Sequence, residues 1–594
     1  MLMGVGAERA STTTGSLGKL GLTEKTGSSG ESDGLAPRKK KVAIIGSGMA
    51  GLVTAFLLRN DSEGRFEVEV LEMQERLSLD SASYTLPSGF SSGGSSSAGT
   101  ERGRVNLSDD KDGEKEEEEG EGSRRVDLPM RAFAAGYYNN LRKMYTYLGV
   151  EFEEPRFVYS LSTVGEDVGE GLDSKKSDSG YDSEFGSDVS GSMGHTDQKG
   201  QGETYFIHSS NNHIMPPIRP AGMSVVRWVV EIAYLLFWYV WFTTACFLVE
   251  PLVSSGPSSM GESTETLRDY LGRMQLPRYY ISRYFLPLMS SVTTCTHQEL
   301  LDFPAVDIVG YARRTYRRPH YTVKGGVGRA EKSLSEGLDV KLGARVTGVE
   351  SLESGKVRVR WVREGTSPGE DGKGVEEEKE YDHAIIAVTP DVVGRIFSPL
   401  EEKMRVIPTT SVQSVVHQDS TRILGCSTHL RNNPRFQAST KSTPYIDSTS
   451  STSKPGIASI SAPIHIFTDL SSSSSRTESI HEHPSSMLIT TYPIDDKSID
   501  DSKVLHRARF TRVLRNNRSR DVVNSIFSPC FPAYADEPDF DTKDTKDEKR
   551  HWRNGEGNVF LVGGWCWDGM VMLEGCIVSA IRVAGELGVD VPWV

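Results

Sequence analysis

Residues 41–51 read Lys-Val-Ala-Ile-Ile-Gly-Ser-Gly-Met-Ala-Gly, and no other segment constrains the fold as tightly. The run Val42 to Ile45 is short, apolar and rich in β-branched residues, as a buried parallel strand requires. Gly46, Gly48 and Gly51 follow in the spacing GxGxxG. From Met49 to Arg59 the apolar residues Leu52, Ala55, Phe56 and Leu58 predict a helix. Phe66 to Leu71 reads as the next strand. In this setting the first glycine permits a tight turn, the second lets backbone approach a pyrophosphate, and the third lets helix and strand pack closely. Amides at the helix N-terminus then face the negative charge. Glu72 ends the second strand, where an acid accepts hydrogen bonds from ribose hydroxyls and disfavours a 2′-phosphate. A glycine turn without a ligand is the competing reading.

That loop alone does not separate FAD from NAD. The C-terminus carries a second signal. Asn558-Val-Phe-Leu-Val-Gly563-Gly564 reads as a strand ending in glycines. Trp565-Cys-Trp-Asp-Gly569 follows as a loop, and Glu574-Gly575-Cys576 opens a final helix. Small residues at that helix start suit a flat ring, and the helix N-terminus suits the anionic edge of a reduced flavin. An enzyme using only NAD has no need of this second helix.

Apolar residues make up 37 % of the chain, low for an enzyme of 594 residues, and the net charge is −14. The deficit sits in polar stretches that read as disordered: 1–37, 86–125 and 164–203, with shorter ones near 363–380, 440–455, 470–485 and 535–550. Acidic runs at 109–121 and 376–380 read as solvated. No basic face argues for nucleic acid. The basic and aromatic stretch from Tyr311 to Arg318 reads as a surface or anion-contacting strand. The six cysteines show no CxxC or zinc spacing and fit a reducing compartment. The N-terminus lacks the apolar core of a secretory signal. His320 and His417 read as structural.

The most hydrophobic stretch is 223–249. No charged side chain occurs between Ile232 and Val249, and the length is just adequate for a membrane span. A complete crossing would separate Gly46 from Gly575, so a monotopic contact presenting Trp238 and Trp241 to lipid is expected. The competing reading is a buried core helix.

Four segments together resemble the flavin-containing amine oxidoreductases, and within them the predicted NAD/FAD-binding proteins, fungal forms included. They are Val42 to Glu72, Tyr321 to Gly326 with Val340 to Val346, Tyr381 to Pro390, and Asn558 to Gly588. The resemblance implies an α/β fold. A doubly wound Rossmann-like FAD domain would be assembled from 38–160, 321–394 and 551–594. A second, α+β substrate domain would come from 204–320 and 395–550. Carried over by position, it implies that Gly46, Ser47, Gly48, Met49, Ala50 and Gly51 form the pyrophosphate loop. Glu72 would take the adenosine ribose and Val346 the adenine. Thr389 and Pro390 would lie along the ribityl-phosphate path. Gly563, Gly564, Glu574 and Gly575 would sit by the pyrophosphate and isoalloxazine, and Arg131 would reach the cofactor. The chain departs from the pattern at Arg76-Leu-Ser-Leu-Asp80, where many relatives carry Gly-Gly-Arg, and at Gly564. The flavin-facing lysine has only Lys324 as a candidate. Trp565, Trp567 and Met572 are candidates for the substrate face. Cys566 and Cys576 match no covalent attachment segment, and no catalytic triad or metal set stands out. The implied activity is hydride transfer to flavin N5 from a small molecule, either an amine or a lipid-like substrate, with membrane-surface contact through 223–249 on the cytoplasmic face. The rivals are a lipid desaturase and a non-catalytic FAD-binding membrane-surface protein.

Overall fold

The structure is a computed structural model. It describes residues 38–81, 83–85, 125–128, 131–155, 157–164, 203–209, 217–220, 222–253, 264–363, 376–421, 423, 464–471, 476–483, 487–495, 499–527 and 552–594. The tail 1–37, the stretches 440–455 and 535–550, and nearly all of 86–125 and 164–203 lie outside the described residues.

Five parallel strands form the central sheet, in the spatial order Asp339–Lys341, Phe66–Leu71, Lys40–Ile45, His383–Ile386, Val559–Leu561. The last four residues of Lys40–Ile45, Val42 to Ile45, are apolar because both faces are covered there. Val42 and Ile44 pack with the helices Met49–Arg59 and Leu573–Glu586. Ala43 and Ile45 pack on the other side, against Trp361 and Val393. In chain order the strands run 3-2-1-4-5, so the direction of winding reverses between Lys40–Ile45 and His383–Ile386. Ligand crevices open at the carboxyl ends of strands flanking such a reversal. Gly46 and Ala387 stand there, and the Ala387 amide donates to Ile45 O at 2.8 Å.

A three-stranded antiparallel sheet, Ala344–Ser351, Val357–Arg363 and Glu376–Tyr381, covers one face. Its last strand contains the acidic run read as solvated. The glutamates are held because arginines stand opposite: Glu380 lies 3.5 Å from Arg358 and Glu377 lies 3.0 Å from Arg363.

The second domain is built on a seven-stranded mixed sheet. Its order is Val504–Val513, Thr409–His417, Leu488–Thr491, Thr477–Glu482, Ile464–Ser471, Phe157–Val164, Glu203–Ser209. Phe157–Val164 straddles the boundary expected at 160. The polar stretch expected near 470–485 contains parts of two paired strands instead. Its polar groups are bonded rather than solvated: the fully buried Glu478 accepts from the Ile494 amide at 2.9 Å.

Tyr311 to Thr315 is helical, not a strand. Ala305, Ile308 and Val309 are buried at helical spacing, which fixes the helix Ala305–Thr315. The long apolar helix is Val225–Leu248, capped by Ser224. It is not a buried core helix. Only Phe242, Ala245 and Cys246 are buried, and Val226, Val229, Val230, Leu236, Phe237 and Leu248 are among its exposed residues. It lies along the protein body. Near its start Glu231 accepts from Tyr279 and Tyr284. Trp241 Nε1 donates to Met274 O at 2.9 Å, and near its end Cys246 O accepts from Arg313. Of the two tryptophans expected to face outward, Trp238 is half-buried against the core while Trp241 is exposed, in a stripe that also carries Phe237, Tyr239 and Phe247.

Candidate active site

The glycine loop has the geometry that its spacing predicts. Gly46 has φ +100°, where an L side chain is strained, and a Cβ there would lie 2.9 Å from Ala387 O. A Cβ on Gly51 would collide with Gly46 O, which explains why helix and turn can pack only with glycine there. At Gly48, by contrast, nothing lies within 4 Å of where a Cβ would sit. The helix that follows has no side-chain cap. Its first amides therefore have no side-chain oxygen capping them, and uncapped amides at a helix N-terminus are what an anion site uses. These features fit a dinucleotide pyrophosphate.

Glu72 is buried at the end of its strand. One carboxylate oxygen accepts from the Ser47 amide at 2.8 Å and from Ser47 Oγ at 2.6 Å; the other accepts from the Gln74 amide at 2.9 Å. A carboxylate has about four acceptor positions, so room remains for one further donor. Ser47 Oγ in turn accepts from the Ser78 amide at 2.8 Å. The stretch Arg76 to Asp80, which departs from the family pattern, is thus tied to the loop by its backbone.

The C-terminal segment closes the same region. Gly563 donates its amide to Ser579 Oγ at 3.0 Å. Trp565 Nε1 donates to Val388 O at 3.1 Å, binding this segment to the turn before Thr389. A Cβ on Gly575 would collide with Trp567 and with Gly564 O, so the close approach this glycine permits is to Trp567 and the glycine turn. The buried Trp567 is further fixed by Nε1 donating to Met570 O at 3.0 Å, and its ring meets Tyr137 edge-on at 5.9 Å. Both tryptophans are buried with their N–H groups satisfied.

Glu574 is held by protein donors. Its carboxylate accepts from the Asn140 amide and Asn140 Nδ2, both at 2.9 Å, and from the Leu141 amide at 3.1 Å. It therefore joins the N-terminus of helix Asn139–Tyr147 to the C-terminal helix. Burial still raises its pKa, partly opposed by those hydrogen bonds.

The two ends of the chain meet at Cys576. The backbone amides of Ala50 and Gly564 face its thiol, and Arg131 and Arg512 stand within electrostatic reach. Burial pushes the thiol up to about 11 all the same, so it is neutral near pH 7 and no ready nucleophile. Burial also raises Tyr138, whose hydroxyl donates to Met572 Sδ at 2.8 Å, and pushes Tyr311 up to about 12. Tyr311 meets Tyr137 edge-on at 4.9 Å.

Of the remaining expected residues, Thr389 is the extended residue just before the helix Pro390–Ile396, and Val346 lies at a bulge in the strand Ala344–Ser351. Lys324 is exposed, and its ammonium pairs with Glu151 at 3.2 Å. His417 is buried, with Nε2 2.8 Å from Thr490 Oγ1 and Nδ1 accepting from the Asp419 amide. Tyr137, Tyr138, Asn140 and Arg512 carried no motif, and only their partners in space bring them to this region.

The sequence profile of the flavin containing amine oxidoreductases matches residues 257–588, more than half of the chain. That of an NAD(P)-binding Rossmann-like domain matches residues 44–101. A search of curated proteins finds no match. Among solved structures the chain is similar to a putrescine oxidase bound to putrescine, at 11 % identity and a TM-score of 0.47, covering 92 % of this chain and 99 % of that one. It is also similar to a CLA-producing fatty acid isomerase from P. acnes, at 9 % identity and a TM-score of 0.44, covering 93 % and 99 %. The glycine cradle, the parallel sheet and the family profile agree: the chain belongs to the flavin-containing amine oxidoreductases and is an FAD-dependent oxidoreductase.

Proposed function

We propose that this protein oxidises an apolar small molecule that it collects at a membrane surface. One observation carries the reading: the exposed apolar helix Val225–Leu248 is linked to the flavin segment through a single intervening helix. Arg313, on helix Ala305–Thr315, holds the backbone of Cys246. Tyr311, on that same helix, touches Tyr137, which touches Trp567. FAD, when bound, supplies the hydride acceptor at N5. In this reading Gly46 to Gly51 hold the pyrophosphate, with Arg131 beside it, and Glu72 receives the ribose. Thr389, Pro390, Gly563 and Gly564 line the cofactor path, and Val346 meets the adenine. Glu574 and Gly575 position the C-terminal helix. Buried aromatic and apolar groups exclude water from the reacting region.

The charge at both ends of the apolar helix suits anionic lipid. Arg227 and Arg278 are exposed toward its start. Arg314, Arg317 and Arg318 are exposed toward its end, where Phe247 meets Tyr316 at 5.5 Å. Glu231, its one acid, is turned to two tyrosines of the protein. A helix of 24 residues lying flat offers about 36 Å of contact. Free thiols at Cys246, Cys295, Cys566 and Cys576 suit the cytoplasmic face.

The experiment is vesicle co-sedimentation of FAD-loaded protein, together with anaerobic flavin bleaching by apolar and amine substrates. Binding to anionic vesicles and bleaching by an apolar compound are expected. Bleaching by amines alone, with no vesicle binding, overturns the proposal.

A further inference from the structure

Arg512 lies near the end of strand Val504–Val513, deep in the protein and beside the flavin segment. The residue as a whole is half-buried. Its Nε donates to Thr293 O at 3.1 Å. The groups whose field reaches it are Tyr138, Cys295 and Cys576, and burial keeps all three neutral. No carboxylate is among them. The acids beside those groups are already engaged: Glu574 with Asn140 and Leu141, and Glu299 with the Thr296 amide and hydroxyl, both at 2.8 Å.

A desolvated guanidinium without an anion is costly to bury. Arg131, the other cation near Cys576, comes from the segment expected to reach the cofactor phosphates. Arg512 approaches from the opposite domain, which shapes the substrate side. Its planar donors match a carboxylate in bidentate fashion. A substrate ammonium would meet repulsion here and find no acid to pair with.

We infer that Arg512 is a specificity-determining residue that holds the carboxylate of an apolar carboxylic acid, and that it selects against amines. This inference rests on the reading of the protein as an oxidase of apolar substrates.

The test uses FAD-loaded protein titrated with decanoate, methyl decanoate and decylamine, read by the difference spectrum of bound flavin. Decanoate is expected to bind at least about tenfold more tightly than the ester or the amine. Arg512→Gln should weaken decanoate roughly 10- to 100-fold, leave the ester nearly unchanged and keep its full flavin content; Arg512→Lys should recover part of the loss. Three results overturn the proposal: decylamine binding as tightly as decanoate, unchanged decanoate affinity in Arg512→Gln, or loss of FAD from that variant. Anaerobic bleaching separates the two readings. Arg512-dependent decanoate binding, with no bleaching by any apolar compound, supports the anion site and defeats the proposed oxidation.

Discussion

Ser47 Oγ donates to Glu72 at 2.6 Å while accepting from the Ser78 amide at 2.8 Å. One hydroxyl therefore locks the glycine loop, the strand-end acid Glu72 and the chain beyond it together. Ser47→Ala should remove both bonds and leave the buried Glu72 with one donor fewer, at a cost of about 1–3 kcal/mol. The expected result is a lower thermal midpoint and weaker FAD retention. Unchanged FAD affinity would show that this lock does not serve the cofactor.

Gly48 separates sterics from charge. Its φ of −65° is ordinary, and space is open where a Cβ would go. Gly48→Ala should fold normally and keep FAD. Gly48→Asp should fold equally well but lose FAD, because its carboxylate repels the pyrophosphate. The ratio of flavin to protein absorbance distinguishes the two. Equal flavin content in both variants would take this loop out of the site.

Much of this was legible before any coordinates. GxGxxG after an apolar strand is a local code, since turn, strand and helix are set by neighbours in sequence. The parallel sheet followed from that code and the family resemblance. Arg512 was not legible, because its meaning depends on which acids it lacks in space. The run Glu376 to Glu380 is largely exposed as expected, but its strand was not legible, because the arginines that pair with it are on another strand. Helix Ala305–Thr315 was not legible as one element, because its apolar spacing lies at Ala305, Ile308 and Val309 while its last turn is basic. The packing of Trp567 against Gly575 was not legible either, because the two meet only through the turn between them.

Acid should loosen the second domain first. Burial lowers His297 to about 4, and its Nε2 lies 2.7 Å from Thr477 Oγ1. His481 is lowered to about 3 by burial and by the nearby His483. Both are neutral in the fold and take up protons on unfolding. The unfolded chain therefore binds more protons between about pH 6.5 and these lower values, and stability falls as pH drops through that window. Each histidine contributes up to about 1.4 kcal/mol per pH unit. Urea midpoints measured from pH 7 to pH 4 should decline, and His297→Gln should flatten the slope. An unchanged slope in that variant removes His297 from the account.

The apolar helix can be tested without disturbing the body. Val229 and Leu236 are 51 % and 60 % exposed. Replacing both with glutamate should leave the unfolding free energy within about 1 kcal/mol of wild type, because these side chains are not core. Vesicle binding should fall sharply, since two charges enter the apolar stripe. Retained binding would mean that the stripe does not contact lipid.

Asp307, Arg515, Arg520 and Asp568 tie three distant segments together. Arg520 bridges Asp307 at 2.6 Å and Asp568 at 2.5 Å, and Arg515 Nε lies 3.9 Å from Asp307. Arg515 also donates to Trp565 O at 3.0 Å, so the cluster reaches the flavin segment. Asp307, Arg515 and Arg520 are buried, whereas the Asp568 side chain is 59 % exposed. This asymmetry predicts an order. Arg520→Met leaves Asp307 near one cation and Asp568 in water. Asp307→Asn leaves Arg515 buried with no acid in contact. Breaking a buried pair costs about 3–5 kcal/mol, so both variants should unfold at lower urea, with Asp307→Asn the worse. Asp307→Asn should also release FAD more readily, because Arg515 no longer holds Trp565 in place. Equal midpoints, or the reverse order, would show that Asp307 is not the centre of the cluster.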